Sequence, residues 1–194
     1  MEIDQQSIMN ALKDKGPEAW SAYLRRFEDD PQLTSRLSMQ VIFHYAAPLA
    51  KDRESLDWGE VAVRAAELEA RNCSGVEHEN ALLWAMNLRS WFICKMGSRS
   101  GHLVLDKEII LRWISEGLPL SVQPAREKAA RFGATLTRGK VSSDSKGTQL
   151  IADDLRLLRR IKHRLNVAKV LQDCGQLTSD PELDEWLEIR ELLP

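Results

Sequence analysis

Residues 76–97 read VEHENALLWAMNLRSWFICKMG, and their spacing decides what kind of chain this is. Trp84, Leu88, Trp91 and Lys95 run down one stripe at helical spacing, while Leu82, Met86 and Ile93 occupy a second. A helix that is apolar around most of its circumference is buried on several sides, which predicts an all-helical domain with this helix, about 76–96, at its centre. Gly97 supplies its C-terminal stop. Asn87, Arg89 and Ser90 interrupt the apolar run, which falls short of the roughly 18 residues of a membrane span.

Helical periods continue on both sides. Toward the N-terminus, Ile8, Met9 and Leu12 mark a short helix after Asp4, and Pro17 opens a second with Trp20, Leu24 and Phe27 on one face. Asp30-Pro31 opens a third carrying Leu33, Leu37, Val41 and Tyr45, which Pro48 is expected to kink or end. Asp57 is the expected N-cap of a fourth, with Val61, Ala65 and Leu68 recurring on one side. The stretch Asp57 to Ala66, DWGEVAVRAA, resembles the small-residue packing face of helical-repeat proteins, although no second copy recurs at a period of about 34 or 40 residues.

Toward the C-terminus, Asp106 opens a helix from Lys107 to Glu116, closed by Gly117-Leu118-Pro119. Pro124 starts a short basic helix ending at Gly133, a long helix covers about Gln149 to Asp173, and Asp180-Pro181 caps an acidic final helix. Composition agrees: 27 Leu and 18 Ala against 9 Val and 5 Thr favour helices over sheets. The expected fold is all-α, a single irregular antiparallel bundle of about eight to ten helices. Its expected parts are a main bundle over 1–132, a basic flexible loop or small hairpin over 133–148, and a C-terminal helical pair over 149–194 packed on the bundle. The hairpin would pair Thr135–Thr137 with Lys140–Ser142 across Arg138-Gly139.

Charge is segregated along the chain. The 194 residues carry a net charge of −2, which excludes a uniformly basic nucleic-acid coat. Residues 1–124 hold −4, residues 125–169 hold +8 and residues 173–194 hold −6. On the long helix, at 100° per residue, Leu155, Leu158, Ile161, Leu165 and Ala168 cluster on one side. Arg156, Arg159, Arg160, His163 and Asn166 fall on the other, giving an amphipathic helix with a cationic outer face. Three uses compete for that face: pairing with the chain's own acidic last helix, docking on an acidic protein, or contact with nucleic-acid phosphates aided by Lys140 and Lys146. No aromatic residue is interleaved with these cations, which weighs against stacking of single-stranded bases.

Motifs for chemistry are sparse. His78-Glu79 begins an H-E-x-x-H frame, but Leu82 stands at the closing position. His44, His78, His102 and His163 share no ligand spacing with the cysteines. Gly97 to His102, GSRSGH, lacks the glycine-lysine ending of a phosphate loop, and Ser143-Asp144-Ser145-Lys146 meets the S-x-x-K spacing only in an expected loop. Residues 106–132 have a helix-turn-helix outline with an overlong turn. Arg156 and His163, six residues apart in between, resemble the arginine–histidine spacing of HEPN ribonucleases, with Leu157 where a polar residue often follows the arginine. That resemblance implies a metal-independent ribonuclease in which the pair positions a phosphate and moves a proton.

The expected function is a non-catalytic helical adaptor or accessory subunit acting by protein–protein interaction within a larger assembly. Its partner-binding residues would be Arg156, Arg159, Arg160, His163, Lys140 and Lys146, with Trp186 on the short acidic helix as an exposed anchor. The alternative is a nucleic-acid-binding subunit using the same basic face, and the third is the HEPN-like ribonuclease. No catalytic residue, metal or cofactor is expected. Cys73, Cys94 and Cys174 are odd in number and form no C-x-x-C pair, and the N-terminus has no secretory signal pattern, which gives the expectation of a cytoplasmic protein without a membrane partner.

Overall fold

The computed structural model describes residues 5–29, 36–97, 103, 106–138 and 145–194. Among these there are nine α-helices and no strand. The chain divides into two compact units, Met1–Leu105 and Asp106–Pro194.

The first unit holds α1 (Gln5–Leu12), α2 (Pro17–Asp29), α3 (Arg36–Asp52), α4 (Leu56–Asn72) and α5 (Gly75–Met96). Within it, the helix packed on three others is α4, against α2, α3 and α5. Its small residues make that possible: Gly59, Ala62, Ala65 and Ala66 are buried, so neighbouring backbones approach closely. A Cβ added to Gly59 would lie 2.5 Å from the Phe92 ring of α5 and 3.0 Å from Leu103. Trp20, Leu24 and Phe27 of α2 and Ala85, Leu88 and Phe92 of α5 complete the core. Buried polar groups are tied across it: Arg89 donates to Glu67 and to the Leu103 carbonyl, each at 2.7 Å, and Gln40 donates to Glu69.

Three local expectations change here. The buried stripe of α3 is Met39, Ile42, Phe43, Ala46 and Ala50, one register away from Val41 and Tyr45, which are half-buried. Leu33, Asp30 and Pro31 lie outside the described residues. Pro48 does not end α3, which continues to Asp52 with the proline on its exposed side. The N-cap of α4 is Ser55, whose hydroxyl accepts from the Trp58 amide, while Asp57 sits in the first turn, where a negative charge suits the helix dipole.

The second unit holds α6 (Lys107–Glu116), α7 (Val122–Arg138), α8 (Ser145–Asp173) and α9 (Pro181–Ile189), followed by a 3₁₀ turn over Arg190–Leu192. α6 and α7 pack on α8, and α7 also packs on α9, so the division of the chain falls before α6 rather than after residue 132. The loop or hairpin expected over 133–148 is replaced by helix at both ends. α7 continues through Gly133 to Arg138 and α8 begins at Ser145; residues 139–144, with Lys140 and Ser143, lie outside the described residues. A glycine costs a helix only about 1 kcal/mol, and helix formers surround Gly133 on its N-terminal side.

Val122, Ala125, Ala129, Leu158, Ile161, Leu165, Trp186, Ile189 and Leu193 form this unit's core. The end of α6 is fastened by Arg164 of α8, which is only 7% exposed. Its guanidinium lies 4.3 Å from the Trp113 ring centroid and donates to the Trp113 carbonyl. Gly117 leaves the room: a Cβ there would collide with the guanidinium.

Both close approaches can be tested. Gly59→Ala and Gly117→Ala are each expected to lower stability by about 1–3 kcal/mol, the range of an overpacked interior. Urea unfolding followed by circular dichroism measures this; an unchanged midpoint for either would remove that contact as a constraint.

Candidate functional site

The residues expected to meet a partner gather on α8. Arg159 and Arg160 each lie three or four residues from both Arg156 and His163, so the four form one stripe about 10 Å long. Of the five residues expected on the other side, Leu158, Ile161, Leu165 and Ala168 are fully buried and Leu155 is half-buried. Arg156 and Arg159 are exposed, whereas Arg160 and His163 are half-buried. Lys146 lies in the first turn of α8, and Lys140 is outside the described residues.

Little of this stripe is neutralised by the acidic last helix. Arg156 pairs with Asp153 of its own helix at 3.5 Å, both side chains more than half exposed. Such a pair is worth about 0–1 kcal/mol and gives way easily to a better partner. Among the described residues, Arg159 and Arg160 make no ion pair with α9. Asp154 is engaged by Lys128 of α7, and Asp184 accepts from Gln172 at 2.9 Å and from Ser179. Lys162 donates to the Leu193 carbonyl at 2.7 Å, which ties the C-terminal turn to α8.

His163 is held below the ordinary imidazole range, first by burial and then by the nearby charges of Arg159 and Lys162. Both causes favour the uncharged ring, so it contributes to the stripe as a hydrogen-bonding group more than as a cation. Arg156 and His163 are two turns apart, about 10 Å along the axis.

Trp186 is not the exposed anchor expected. It is 2% exposed and belongs to the core with Ile189 and Leu193. Asp180 accepts from the Glu182 and Leu183 amides and starts α9 so that Leu183 and Trp186 turn inward while Glu182, Glu185 and Glu188 stay in water. Part of Trp186 nonetheless lines an open groove of about 330 Å³ between α6 and α9. Its walls are Leu111, Ile114 and Leu118 on one side and Leu177, Leu183 and Trp186 on the other. Leu120, fully exposed, stands at its lip, and the charged residues lining it are Asp180 and Glu182. Sequence reasoning missed this groove because its walls come from segments some 60 residues apart. It also missed Arg164, although the wheel places it about 40° from Ala168 and 80° from Arg156, nearer the apolar face.

The first unit carries a separate cleft between α3 and α5, where Phe43 stacks on Trp84 at 5.2 Å and His44 meets both rings edge-on. Among the described residues no three His, Cys, Asp or Glu side chains are grouped to hold a metal, and no helix is long and apolar enough to cross a membrane. Comparison with protein-family models finds no match, and neither a curated protein nor a solved structure matches the chain.

The His163 environment sets a pH prediction. Because its folded pKa lies below the unfolded value of about 6.5, the unfolded chain takes up this proton first as pH falls. The contribution is fully present above pH 6.5 and is lost as pH falls toward the folded pKa. NMR titration of the His163 ring should give a midpoint below 6.5, and Arg159→Ala should raise it. A midpoint at or above 6.5 in the unaltered chain would contradict the assignment.

Proposed function

We propose that this protein is a non-catalytic helical adaptor or accessory subunit that docks, through the second unit, onto a protein partner carrying an acidic surface. One observation supports the reading above the others: the cationic stripe of α8 and the acidic surface of α9 sit in one compact unit and, among the described residues, do not cancel, since Arg159 and Arg160 make no ion pair with α9 and Arg156 pairs locally with the exposed Asp153. Separated charges of that kind steer encounter and fix the orientation of docking. The partner-binding residues in this reading are Arg156, Arg159, Arg160 and His163.

The alternative, a nucleic-acid-binding subunit, uses the same stripe. With the uncharged form of His163 favoured, three guanidiniums remain, and Asp153 stands beside Arg156. Three phosphate contacts give a log-affinity against log-salt slope of about −2.7 on duplex DNA. The metal-independent ribonuclease asks Arg156 and His163 to reach one phosphate across about 10 Å of helix.

The test compares the full chain with a variant carrying Arg156→Glu, Arg159→Glu and Arg160→Glu. Affinity purification at native levels, read by mass spectrometry, is expected to recover a specific protein partner with the unaltered chain and to lose it at least tenfold with the variant. Circular dichroism checks that both are folded. Equal recovery by both would remove the stripe from the docking surface. Duplex binding with the stated salt slope, lost in the variant, would favour the alternative, and RNA cleavage abolished by His163→Ala would favour the third.

A further inference from the structure

We propose that the groove between α6 and α9 is a second docking site, one that receives a cationic amphipathic helix from a partner protein. It is distinct from the basic stripe and does not depend on it.

The floor and the rim ask for different things from a ligand. Ile114 and Trp186 form a floor that is almost fully shielded, and Leu111, Leu118, Leu177 and Leu183 rise around it. Leu120 is wholly exposed at the lip, an apolar side chain with no role in either core, so it extends the apolar surface outward. A ligand must therefore bring apolar side chains. The rim is acidic: Asp180 and Glu182 line the groove, and Glu185 stands one turn further along α9, exposed. No cation lines it among the described residues, and residues 173–194 carry −6 overall. Anionic ligands are repelled, and a ligand with apolar anchors and flanking lysines or arginines complements both features.

The walls also select the ligand's backbone. Two of the walls are the helices α6 and α9, whose main chain is engaged internally, and no strand lies among the described residues to offer an edge for main-chain pairing. An extended peptide would leave its own backbone groups unpaired against this apolar surface. A helix satisfies its backbone internally and presents anchors at i and i+4, the spacing that an open groove between two helices accepts.

The experiment labels the full chain with fluorotryptophan and follows the Trp186 ¹⁹F resonance, assigned by Trp186→Phe. Three synthetic peptides are titrated: one with leucines at i, i+4 and i+7 flanked by lysines, one with the lysines replaced by glutamates, and one with the leucines replaced by serines. Only the first should shift Trp186 saturably, and added salt should weaken it. Glu182→Lys with Glu185→Lys, and separately Leu120→Ser, alter exposed side chains and should each weaken binding about tenfold without changing the far-ultraviolet spectrum. The Arg156, Arg159 and Arg160 triple variant should bind the peptide normally, so failure of the basic stripe and failure of the groove are read apart. Equal shifts by the lysine and glutamate peptides, no shift by any, or a Trp186 shift that tracks protein concentration without peptide, as in self-association, would each overturn the proposal.

Discussion

A single buried guanidinium organises the second unit. Arg164 is withdrawn from water at 7% exposure, and a charge in that position is stable only where its surroundings replace hydration. The Trp113 ring face and the Trp113 carbonyl do so, and both belong to α6. The helix is thereby held to α8 by its far side, through the close approach that Gly117 permits. Removing the cation's partners would leave the charge buried, which costs more than the contact itself is worth. This fixes the rotation of α6 about its axis. With Trp113 turned toward α8, the stripe of Leu111, Ile114 and Leu118 is left to line the groove facing α9.

α9 is held by a different set of interactions. Asp180 caps it, Gln172 and Ser179 hold Asp184, and Lys162 binds the Leu193 carbonyl beyond its end. Every one of these acts through α8 or the segment that joins it to α9. The cationic stripe and the apolar groove thus share one scaffold helix while differing in chemistry. Sites built on rigid helices keep their geometry better than sites on loops.

The all-helical class was legible because apolar spacing is set by burial, and burial is what a helix face records. The inward face of α2 follows its periodicity at Trp20, Leu24 and Phe27, and that of α8 from Leu158 through Ile161 to Leu165, with Leu155 only half-buried. Where the reading missed, the signal had more than one physical source. In α3 both Val41–Tyr45 and Ile42–Ala46 have helical spacing, and only the neighbours decide that the alanine-bearing stripe packs inside. Gly133 carries the same stop signal as Gly97 and Gly175, but those two turn to positive φ, whereas α7 runs through Gly133 to Arg138. Around Trp186 the sequence is acidic. Those charges report the outer side of α9 and say nothing of the side that carries Leu183, Trp186 and Ile189. Arg164 sat in a basic run and shared its chemistry with residues that face water; the helical wheel separates it, but its partner Trp113 lies 51 residues away.

The net charge of −2 is the sum of surfaces that act separately. Exposed ion pairs such as Arg156–Asp153 contribute about 0–1 kcal/mol, so a cationic stripe by itself gives encounter and orientation more than affinity. Affinity in helical docking comes from apolar anchors in desolvated pockets, surrounded by contacts that exclude water. In the proposed arrangement the two requirements fall on different faces of one unit: arginines of α8 for orientation, and the leucine-walled groove for anchoring, with its own carboxylates choosing the sign of what enters. An adaptor needs two faces that do not compete for the same ligand. Opposite charge on the stripe and on the groove rim provides that separation, because a segment suited to one is repelled by the other.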